Sequence, residues 1–433
     1  MKQVGNTILA KGGNHILAKR DNSAWPKGSK LSGFSSILSP EHYEAARCIG
    51  EEGIVLLQNK GNVLPINLDK TKKILVVGEN AVKMMTVGGG SSSLKVQREI
   101  SPLDGIRRRV GGKAEVTWVR GYVGDATGEY NGVVTGQNLK DDRSSEELIT
   151  EAVEAATKAD CVIFIGGLNK SNNQDCEDTD RKALDLPYGQ DNVISALAKA
   201  NRNLVVVNIS GNAVAMPWVD EVSTIVQDWY LGSEAGTSLA AVLMGDVNPS
   251  GRLPFTFPVR LEDNAAHALG EFVYERSQKV IDVKYNESIF VGYRWADKQK
   301  EVKPLFAFGH GLSYTTFKYG KPVADKKVIT GSETLTVTVP ITNTGDREGA
   351  EVVQLYISDL KSSLPRPVKE LKGFCKVRLS PGETKEVTFT IDKLALSFFD
   401  DTCHEWKAES GKFEAIIAAS ATDIKSKVAF ELD

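Results

Sequence analysis

Short apolar runs rich in β-branched residues alternate with helical patterns between residues 72 and 244. Strands that are apolar throughout indicate a sheet covered on both faces, and alternation with helices favours parallel pairing through crossover helices. The pattern therefore predicts an α/β fold with a mostly parallel three-layer α/β/α sandwich. Its predicted strands are 74–77, 114–118, 161–165, 204–209 and 224–227, and its predicted helices are 102–110, 144–159, 191–200 and 236–244.

The first helix signal comes at Ser39 and Pro40, where a capping serine precedes a proline and apolar residues then recur at helical spacing. An extended piece follows at 55–59, and we place the α/β domain at 40–254. Residues 1–39 contain glycine pairs and serine-rich turns with weak periodicity, which indicates a linker or the remnant of another domain.

Beyond residue 254 the alternation stops. Residues 255–319 are rich in proline, glycine and aromatic residues, and we interpret them as an ordered connection that wraps over neighbouring surface. From residue 320 the hydrophobic period changes to two, which indicates a β-sandwich over 320–433. Its predicted strands are 334–341, 351–357, 385–391 and 411–417, and the proline-rich stretch 365–374 is predicted to be a loop between strands.

The composition limits the class of protein. A chain of 433 residues is longer than one ordinary domain. Its content of 41% hydrophobic and 25% charged residues is typical of a globular protein. The net charge of −3 does not provide the excess of positive charge that binding to nucleic acid or an anionic membrane needs, so neither is expected as a partner. The 5 cysteines and 5 histidines show no metal-like spacing, so we expect no metal and no cofactor. The first residues lack the apolar core of a secretory signal, and localisation stays open.

The candidate chemistry lies in a polar, acidic loop that follows the predicted strand at 161–165. In open α/β sheets ligands bind beyond the carboxyl ends of the strands, so such a loop is a candidate site. Glu177 is its best single residue, because an acid/base catalyst must carry a proton, reach the substrate and have a pKa raised by its pocket. The alternative is a solvated loop in which Asp180 and Arg181 merely pair.

A second candidate is the glycine- and serine-rich run 88–93. It lacks the Gly-Lys-Ser/Thr and G-x-G-x-x-G spacings of phosphate-binding loops, which argues against nucleotide binding. Glycines let a ligand approach the backbone, and serine hydroxyls both donate and accept hydrogen bonds, so the run suits contact with a sugar. A purely structural turn is the alternative.

Taken in order, a series of motifs resembles the C-terminal part of a family 3 glycoside hydrolase of the β-glucosidase type. The resemblance covers about residues 39–433, and the shared order of the motifs makes it specific. The motifs are EEGIVLLQN at 51–59, GGGSS at 88–92, SPLDG at 101–105, CEDTDR at 176–181, GSEAG at 232–236, DVNPSGRLP at 246–254, FVGYR at 290–294 and FGHGLSYTTF at 308–317.

The resemblance implies a fold and a mechanism. Members have a (β/α)8-like barrel, then an α/β sandwich and commonly a fibronectin III-like domain, and their retaining mechanism uses two carboxylates roughly 5 Å apart. The nucleophilic aspartate comes from the barrel. The acid/base glutamate of the family's Glu-Gly-x-Asp-Arg motif matches Glu177, with Asp180 and Arg181 as supporting residues. Asp178 replaces the usual glycine, and this extra carboxylate is expected to change the loop or raise the pKa of Glu177.

The resemblance also implies binding residues and partners. Ser91 and Ser92 match a family loop that touches the bound sugar. The segment before residue 40 is too short for eight strand–helix units, so we expect the chain to hold the proton donor but no nucleophile. The implied partners are a β-linked oligosaccharide or glucoside and a barrel domain or barrel protein in trans. An open barrel-facing surface would favour self-association.

Two other functions stay open. The chain could be a non-catalytic carbohydrate-binding or assembly module that keeps the scaffold. It could also hydrolyse glycosides alone, with Asp180 or Asp228 as the second carboxylate, but Asp180 follows Glu177 by three residues and can hardly face it across a sugar ring. The glycosidase hypothesis requires Glu177 at a cleft, neither in open solvent nor paired with Arg181.

Overall fold

The structure is a computed structural model. It describes residues 39–86, 91, 94, 96–124, 129–130, 133–134, 137–177, 181–269, 284–299 and 302–433. These residues form an α/β domain with a mostly parallel sheet, followed by a β-sandwich, which confirms the predicted fold class. A membrane-spanning segment is not found among the described helices.

A six-stranded sheet forms the centre of the α/β domain. The strands of this part of the chain are β1 Val55–Asn59, β2 Lys73–Val77, β3 Glu115–Val119, β4 Glu129–Tyr130, β5 Val133–Val134, β6 Cys161–Gly167, β7 Leu204–Ile209 and β8 Thr224–Gln227. The sheet has the order β1-β8-β7-β6-β2-β3, and β4 and β5 pair in a separate two-stranded sheet. All neighbours in the large sheet pair in parallel except β1, which runs antiparallel to β8 at one edge. The loops that follow the parallel strands therefore gather at one edge of the sheet.

Helices cover both faces of this sheet. The described helices are α1 Pro40–Gly53, α2 Pro102–Val110, α3 Ser145–Ala156, α4 Gln190–Ala200, α5 Ala235–Leu243, α6 Ala265–Leu269, α7 Tyr293–Lys298 and α8 Lys393–Leu396. Alternate residues of β6 enter opposite cores: Phe164 packs with α3 and α4, whereas Ile163 packs with α2 and α5. Every residue of β6 is buried, as a strand in the middle layer of a three-layer domain must be.

Local signals fix where the helices begin and how closely they pack. Ser101 caps α2 by accepting a hydrogen bond from Asp104 N–H at 3.2 Å, and Ser144 forms a capping box with α3. Helices α2 and α5 meet at Gly105 and Gly236. A Cβ on Gly105 would lie 1.9 Å from the Gly236 carbonyl oxygen, so this crossing requires glycine.

The C-terminal part of the chain is a β-sandwich. Its strands are β9 Phe317–Tyr319, β10 Val323–Ala324, β11 Val328–Ile329, β12 Leu335–Asn343, β13 Gly349–Asp359, β14 Glu370–Leu379, β15 Thr384–Ile391, β16 Phe398–Asp400, β17 Glu405–Lys407, β18 Gly411–Ala418 and β19 Ile424–Leu432. One sheet has the order β10-β12-β15, with β9 also paired to β12, and the other has the order β11-β19-β18-β13-β14. Burial alternates along β12, so its apolar residues face the core between the sheets.

One sequence prediction for the sandwich is wrong. The stretch 365–374 is predicted to be a loop, but its second half begins β14, which pairs with β13. Charged residues such as Lys376 and Arg378 hide the period of two in this strand. The structure explains them, because both side chains reach Glu52 of α1.

Contacts made by the connecting segment, and by residues just before and after it, join the sandwich to the α/β domain. Phe257 and Phe306 pair through a β-bridge and join the core of the α/β domain. Arg252 forms an ion pair with Glu351 of β13 at 3.0 Å, and Tyr319 of β9 donates to the same carboxylate at 2.8 Å. The predicted domain boundaries stay predictions.

Candidate functional site

The loop that carries Glu177 is anchored at both ends on the carboxyl edge of the sheet. Strand β6 ends at Gly167, which has a φ of 114°, and a Cβ there would lie 2.2 Å from the Ile209 carbonyl oxygen. Gly167 N–H donates to Gln190 Oε1 at 2.7 Å, and Gln190 Nε2 donates to the Gly167 carbonyl at 2.8 Å. This pair of hydrogen bonds fixes the first residue of α4 to the end of β6, so the intervening loop starts and ends at fixed points.

Hydrogen bonds within the loop order its first part. Asn169 N–H donates to Gln174 Oε1 at 2.9 Å, and Asn169 Oδ1 accepts from Ser171 N–H at 2.7 Å. Gln174 Nε2 donates to the Tyr188 hydroxyl at 2.6 Å. Because Asn169, Ser171 and Gln174 are buried, this part of the loop is internally bonded and not merely a solvated acidic segment.

Asp175 joins the loop to two neighbouring loops of the same edge. Its carboxylate accepts hydrogen bonds from Gly211 N–H at 2.6 Å, Asn212 Nδ2 at 2.9 Å and the Tyr230 hydroxyl at 2.9 Å. Gly211 and Asn212 follow β7, and Tyr230 follows β8. Sequence reasoning missed Asp175, which lies two residues before Glu177 in the same acidic run.

Arg181 points towards the loop after β7. It donates to Asn212 Oδ1 and to the Ala213 carbonyl oxygen, the latter at 2.7 Å. Burial lowers the pKa of Arg181, and the nearby Asp175 carboxylate opposes that change. These contacts give Arg181 a structural role in holding the loop. Asp180 lies outside the described residues, so its predicted supporting role and its pairing with Arg181 are not addressed.

Glu177 and Ser91 are brought together from different loops. The Glu177 carboxylate accepts a hydrogen bond from the backbone N–H of Ser91, which belongs to the loop after β2. Two of the predicted site residues therefore meet on the carboxyl edge of the sheet. Ser92, the other predicted sugar-binding residue, lies outside the described residues.

The surroundings of Glu177 lower its pKa. The hydroxyl of Ser91 and then its backbone amide stabilise the carboxylate, and Glu177 is exposed, so burial opposes them little. The described residues therefore do not produce the raised pKa that sequence reasoning expects of an acid catalyst. Asp178 lies outside the described residues, and its predicted effect on Glu177 stays a prediction.

The start of the loop that carries Ser91 is held by two side chains from other segments. Glu99 accepts hydrogen bonds from Met85 N–H at 2.6 Å and Thr86 N–H at 3.0 Å. Gln137 accepts from Met84 N–H at 2.8 Å and donates to the Val82 carbonyl at 2.9 Å. Hydrogen bonds from Glu99 and Gln137 therefore hold the backbone that leads to the glycine- and serine-rich run.

A buried ionic cluster supports the base of the same loop. Glu79 follows β2 and forms ion pairs with Lys83 at 3.0 Å and Arg120 at 2.7 Å, while its carboxylate also accepts from Gly124 N–H at 2.7 Å. The next residue, Asn80, donates to the Leu168 carbonyl at 3.0 Å, which links this loop to the loop after β6. The sequence offered no signal for this cluster, because Arg120 and Gly124 lie 41 and 45 positions from Glu79.

Other candidate groups are poorly placed for chemistry. Asp228 is 1% exposed, and burial raises its pKa well above the ordinary value, so it does not present a carboxylate to a substrate. Among the described residues, no cluster of three or more His, Cys, Asp or Glu side chains is arranged to hold a metal ion.

Two clefts formed by described residues lie away from Glu177. One of about 720 Å³ is lined by residues such as Leu57, Lys303, Phe306 and His310, and one of about 490 Å³ surrounds Asp160 at the amino ends of the strands. Glu177 lines neither cleft. The described residues therefore do not place the exposed Glu177 at a cleft, which is the position that the glycosidase hypothesis requires.

Family models match most of this architecture. The model described as the Glycosyl hydrolase family 3 C-terminal domain matches residues 54–314, and a Fibronectin type III-like domain matches residues 351–421. The chain belongs to glycosyl hydrolase family 3. The match confirms the resemblance seen in the motifs, and within this family 3 chain Glu177 and Ser91 both fall inside the first matched range.

Named relatives of this family 3 chain are β-glucosidases. It is 50% identical over 403 residues to Beta-glucosidase BoGH3A of Bacteroides ovatus, covering 92% of this chain and 53% of that protein. It is 39% identical over 386 residues to Thermostable beta-glucosidase B of Acetivibrio thermocellus, covering 89% and 48%. The crystal structure of Beta-glucosidase from Kluyveromyces marxianus in complex with glucose superposes with a TM-score of 0.82 at 28% identity, covering 92% and 63%. The chain spans about half the length of these curated relatives.

Proposed function

We propose that this chain supplies the acid/base half of a retaining exo-β-glucosidase site, with Glu177 as the proton donor. The observation that carries the proposal is the contact between the Glu177 carboxylate and Ser91 N–H on the carboxyl edge of the sheet. The relatives named as β-glucosidases support the reaction type. The proposed substrates are β-glucosides or β-linked oligosaccharides with a terminal non-reducing β-D-glucosyl residue.

The nucleophile would come from a barrel domain, either elsewhere on a longer polypeptide or on a separate protein. A retaining mechanism needs two carboxyl groups roughly 5 Å apart on opposite sides of the glycosidic bond. The open side of Glu177 is where the barrel and its aspartate would sit.

Glu177 would act twice in this reaction. It first donates its proton to the glycosidic oxygen while the aspartate attacks the anomeric carbon, so the sugar is transferred to the aspartate and the aglycone leaves. The Glu177 carboxylate then accepts a proton from water as that water attacks the same carbon, which releases glucose with retained configuration and restores the acid.

Assembly with the barrel would reverse the pKa shift of Glu177. In this chain Ser91 stabilises the carboxylate and lowers the pKa. Enclosure would remove water from Glu177, and a second carboxylate nearby would repel its charge, and both changes raise a carboxyl pKa. The proton donor would therefore become competent when the site closes.

The remaining predicted residues have supporting roles in this proposal. Ser91 and Ser92 would hydrogen-bond to the hydroxyls of the terminal sugar. Arg181 would hold the loop through Asn212 and Ala213, as its contacts indicate. Asp180 would complete that support.

Reconstitution tests the proposal. This chain, mixed with a separately expressed family 3 barrel, should release the chromophore from an aryl β-glucoside, and the Glu177→Gln variant should not. Glu154→Gln, an exposed carboxylate on α3, is the matched control and should retain full activity. If the barrel mixed with Glu177→Gln released the chromophore as fast as with the wild-type chain, the assignment of Glu177 as proton donor would be contradicted.

The exposure and the lowered pKa of Glu177 also favour a second candidate, a non-catalytic carbohydrate-binding or assembly module. A binding module needs no proton donor, so glucose affinity measured by calorimetry would then be unchanged in Glu177→Gln, and no barrel would restore hydrolysis.

A further inference from the structure

A pair of aromatic side chains lies in solvent on the β-sandwich, well separated in sequence from the Glu177 loop. Phe399 of β16 and Trp406 of β17 are directly opposite each other in a two-stranded sheet. Phe399 is 48% exposed and Trp406 is 60% exposed. Their ring centroids are 5.7 Å apart with planes at 71°, so the two rings form one exposed aromatic unit.

The hairpin is attached to the sandwich through other residues. The Phe398 ring lies 5.6 Å from the guanidinium carbon of Arg366, and Arg366 is itself paired with Asp359 at 3.0 Å. Adjacent residues of a strand point to opposite faces, so Phe399 and Trp406 lie on the face away from Phe398. Phe398 therefore contacts the sandwich from the face opposite the two exposed rings.

The chemistry around the rings suits a sugar. A pyranose has an apolar C–H face that packs on an aromatic ring and hydroxyl groups at its edge that need hydrogen-bond partners. The Trp406 indole N–H is a hydrogen-bond donor on a side chain that is 60% exposed. Exposed Asp401, two residues after Phe399, supplies an acceptor for hydroxyl protons.

Charge and area argue against other occupants. Residues 398–407 carry the three carboxylates Asp400, Asp401 and Glu405 against the single Lys407, which disfavours nucleic acid and anionic membranes. The exposed parts of the two rings amount to about 200 Å². A stable protein interface buries about 800 Å² on each partner, so the pair is too small to hold a second copy of the chain.

We propose that Phe399 and Trp406 form a carbohydrate-binding surface that takes the sugar rings of a neutral β-glucan chain. The choice of a β-glucan rests on the proposed function, whereas binding of sugar rings at this surface rests on the exposed aromatic pair. The surface would hold a polymer near the enzyme independently of the proton donor at Glu177.

Affinity electrophoresis of the full chain in gels containing soluble barley β-glucan tests this surface. The wild-type chain should be retarded, and Trp406→Ala and Phe399→Ala should weaken the apparent affinity at least tenfold. Phe374→Ala is the matched control, because Phe374 is a 54% exposed aromatic residue on β14 of the same sandwich, and it should change the affinity less than twofold. Trp406→Leu removes the ring but keeps an apolar side chain, which covers the case in which Trp406→Ala fails to fold.

Each other outcome overturns the proposal. An absence of retardation for the wild-type chain, or an equal loss in Phe374→Ala, would remove the basis for a specific surface. Loss of a dimer in Trp406→Leu, seen by light scattering, would assign the rings to self-association. Glu177→Gln should retain full retardation, so failure of the proposed catalytic function would leave this result unchanged.

Discussion

At the scale of single residues, the candidate site depends on two carboxylates with different environments. Asp175 accepts three hydrogen bonds and fixes the loop to the sheet edge, whereas the Glu177 carboxylate is exposed and held by Ser91. The acidic loop and its motif predict Glu177 as the acid/base residue, and that role stays a prediction. The role of Asp175 could not be predicted, because its donors lie 36, 37 and 55 positions away along the chain.

The first residue-scale prediction concerns the ionisation of Glu177 in this chain alone. Its carboxyl resonance should titrate with a pKa below the ordinary value of 4.5, because Ser91 stabilises the charged form. The stabilising effect is present above pH 4.5 and is lost as the pH falls through the lowered pKa. Carbon-13 NMR of labelled glutamate checks this.

In the same experiment Ser91→Ala should move the pKa of Glu177 upwards, since the hydroxyl of Ser91 is the main cause of the shift. Ser144→Ala removes a serine hydroxyl at the distant start of α3 and should leave the titration of Glu177 in place. A pKa above 4.5 in the wild-type chain would contradict the described environment of Glu177.

The second residue-scale prediction concerns Asp175. Asp175→Ala leaves Gly211 N–H and the Tyr230 hydroxyl without their acceptor, which should lower the free energy of unfolding by about 1–3 kcal/mol. Denaturant unfolding followed by tryptophan fluorescence measures the change. Asp142→Ala, at an exposed aspartate, should change stability by less than about 0.5 kcal/mol. Equal stability of the two variants would count against Asp175 as an anchor.

At the scale of elements, the sequence predicted the α/β domain well because the strands are short, apolar and β-branched, and their period is clear. Strand β1 was predicted as extended, but its antiparallel pairing with β8 depends on residues about 170 positions away. Strand β14 was missed because charged residues with long side chains occupy it, and their partner Glu52 lies in α1. Local patterns cannot show such partners.

An element-scale prediction follows from the attachment of α4 to β6. Gln190→Ala removes both partners of the buried Gly167 backbone, so the free energy of unfolding should fall by about 3 kcal/mol. Hydrogen exchange should also speed up for the amides at the end of β6. Asn192→Ala, at an exposed position of the same helix, is the control and should have little effect. Unchanged exchange at Gly167 in Gln190→Ala would show that this pair of hydrogen bonds does not hold the loop.

At the scale of the whole molecule, hydrogen bonds between loops hold the candidate site on the sheet edge, while the Glu177 side chain is exposed. The loops after β2 and β6 are tied to each other through Asn80 and through Glu177. Ile49 of α1 is 73% exposed and Leu94, near Ser91, is 60% exposed. Exposed apolar side chains of this size favour association in water.

Self-association of the isolated chain is the prediction at this scale. Light scattering should show an apparent mass that rises with concentration, because exposed apolar groups associate in water. Ile49→Glu should reduce the association. Val323→Glu, at a 63% exposed position on the sandwich, is the control and should not. A monomer at high concentration would argue against an open docking surface.

The most direct test of the central claim is the dependence of Glu177→Gln on the leaving group, measured in an active assembly of this chain with a family 3 barrel. Loss of the acid should lower kcat/KM for cellobiose by about 10²–10⁴-fold. The leaving group of 2,4-dinitrophenyl β-glucoside needs no proton, so the rate at which the glucosyl group is transferred to the aspartate should fall far less. Azide, which can replace water without help from a general base, should yield β-glucosyl azide. An equal loss on both substrates, with no azide product, would contradict Glu177 as the proton donor.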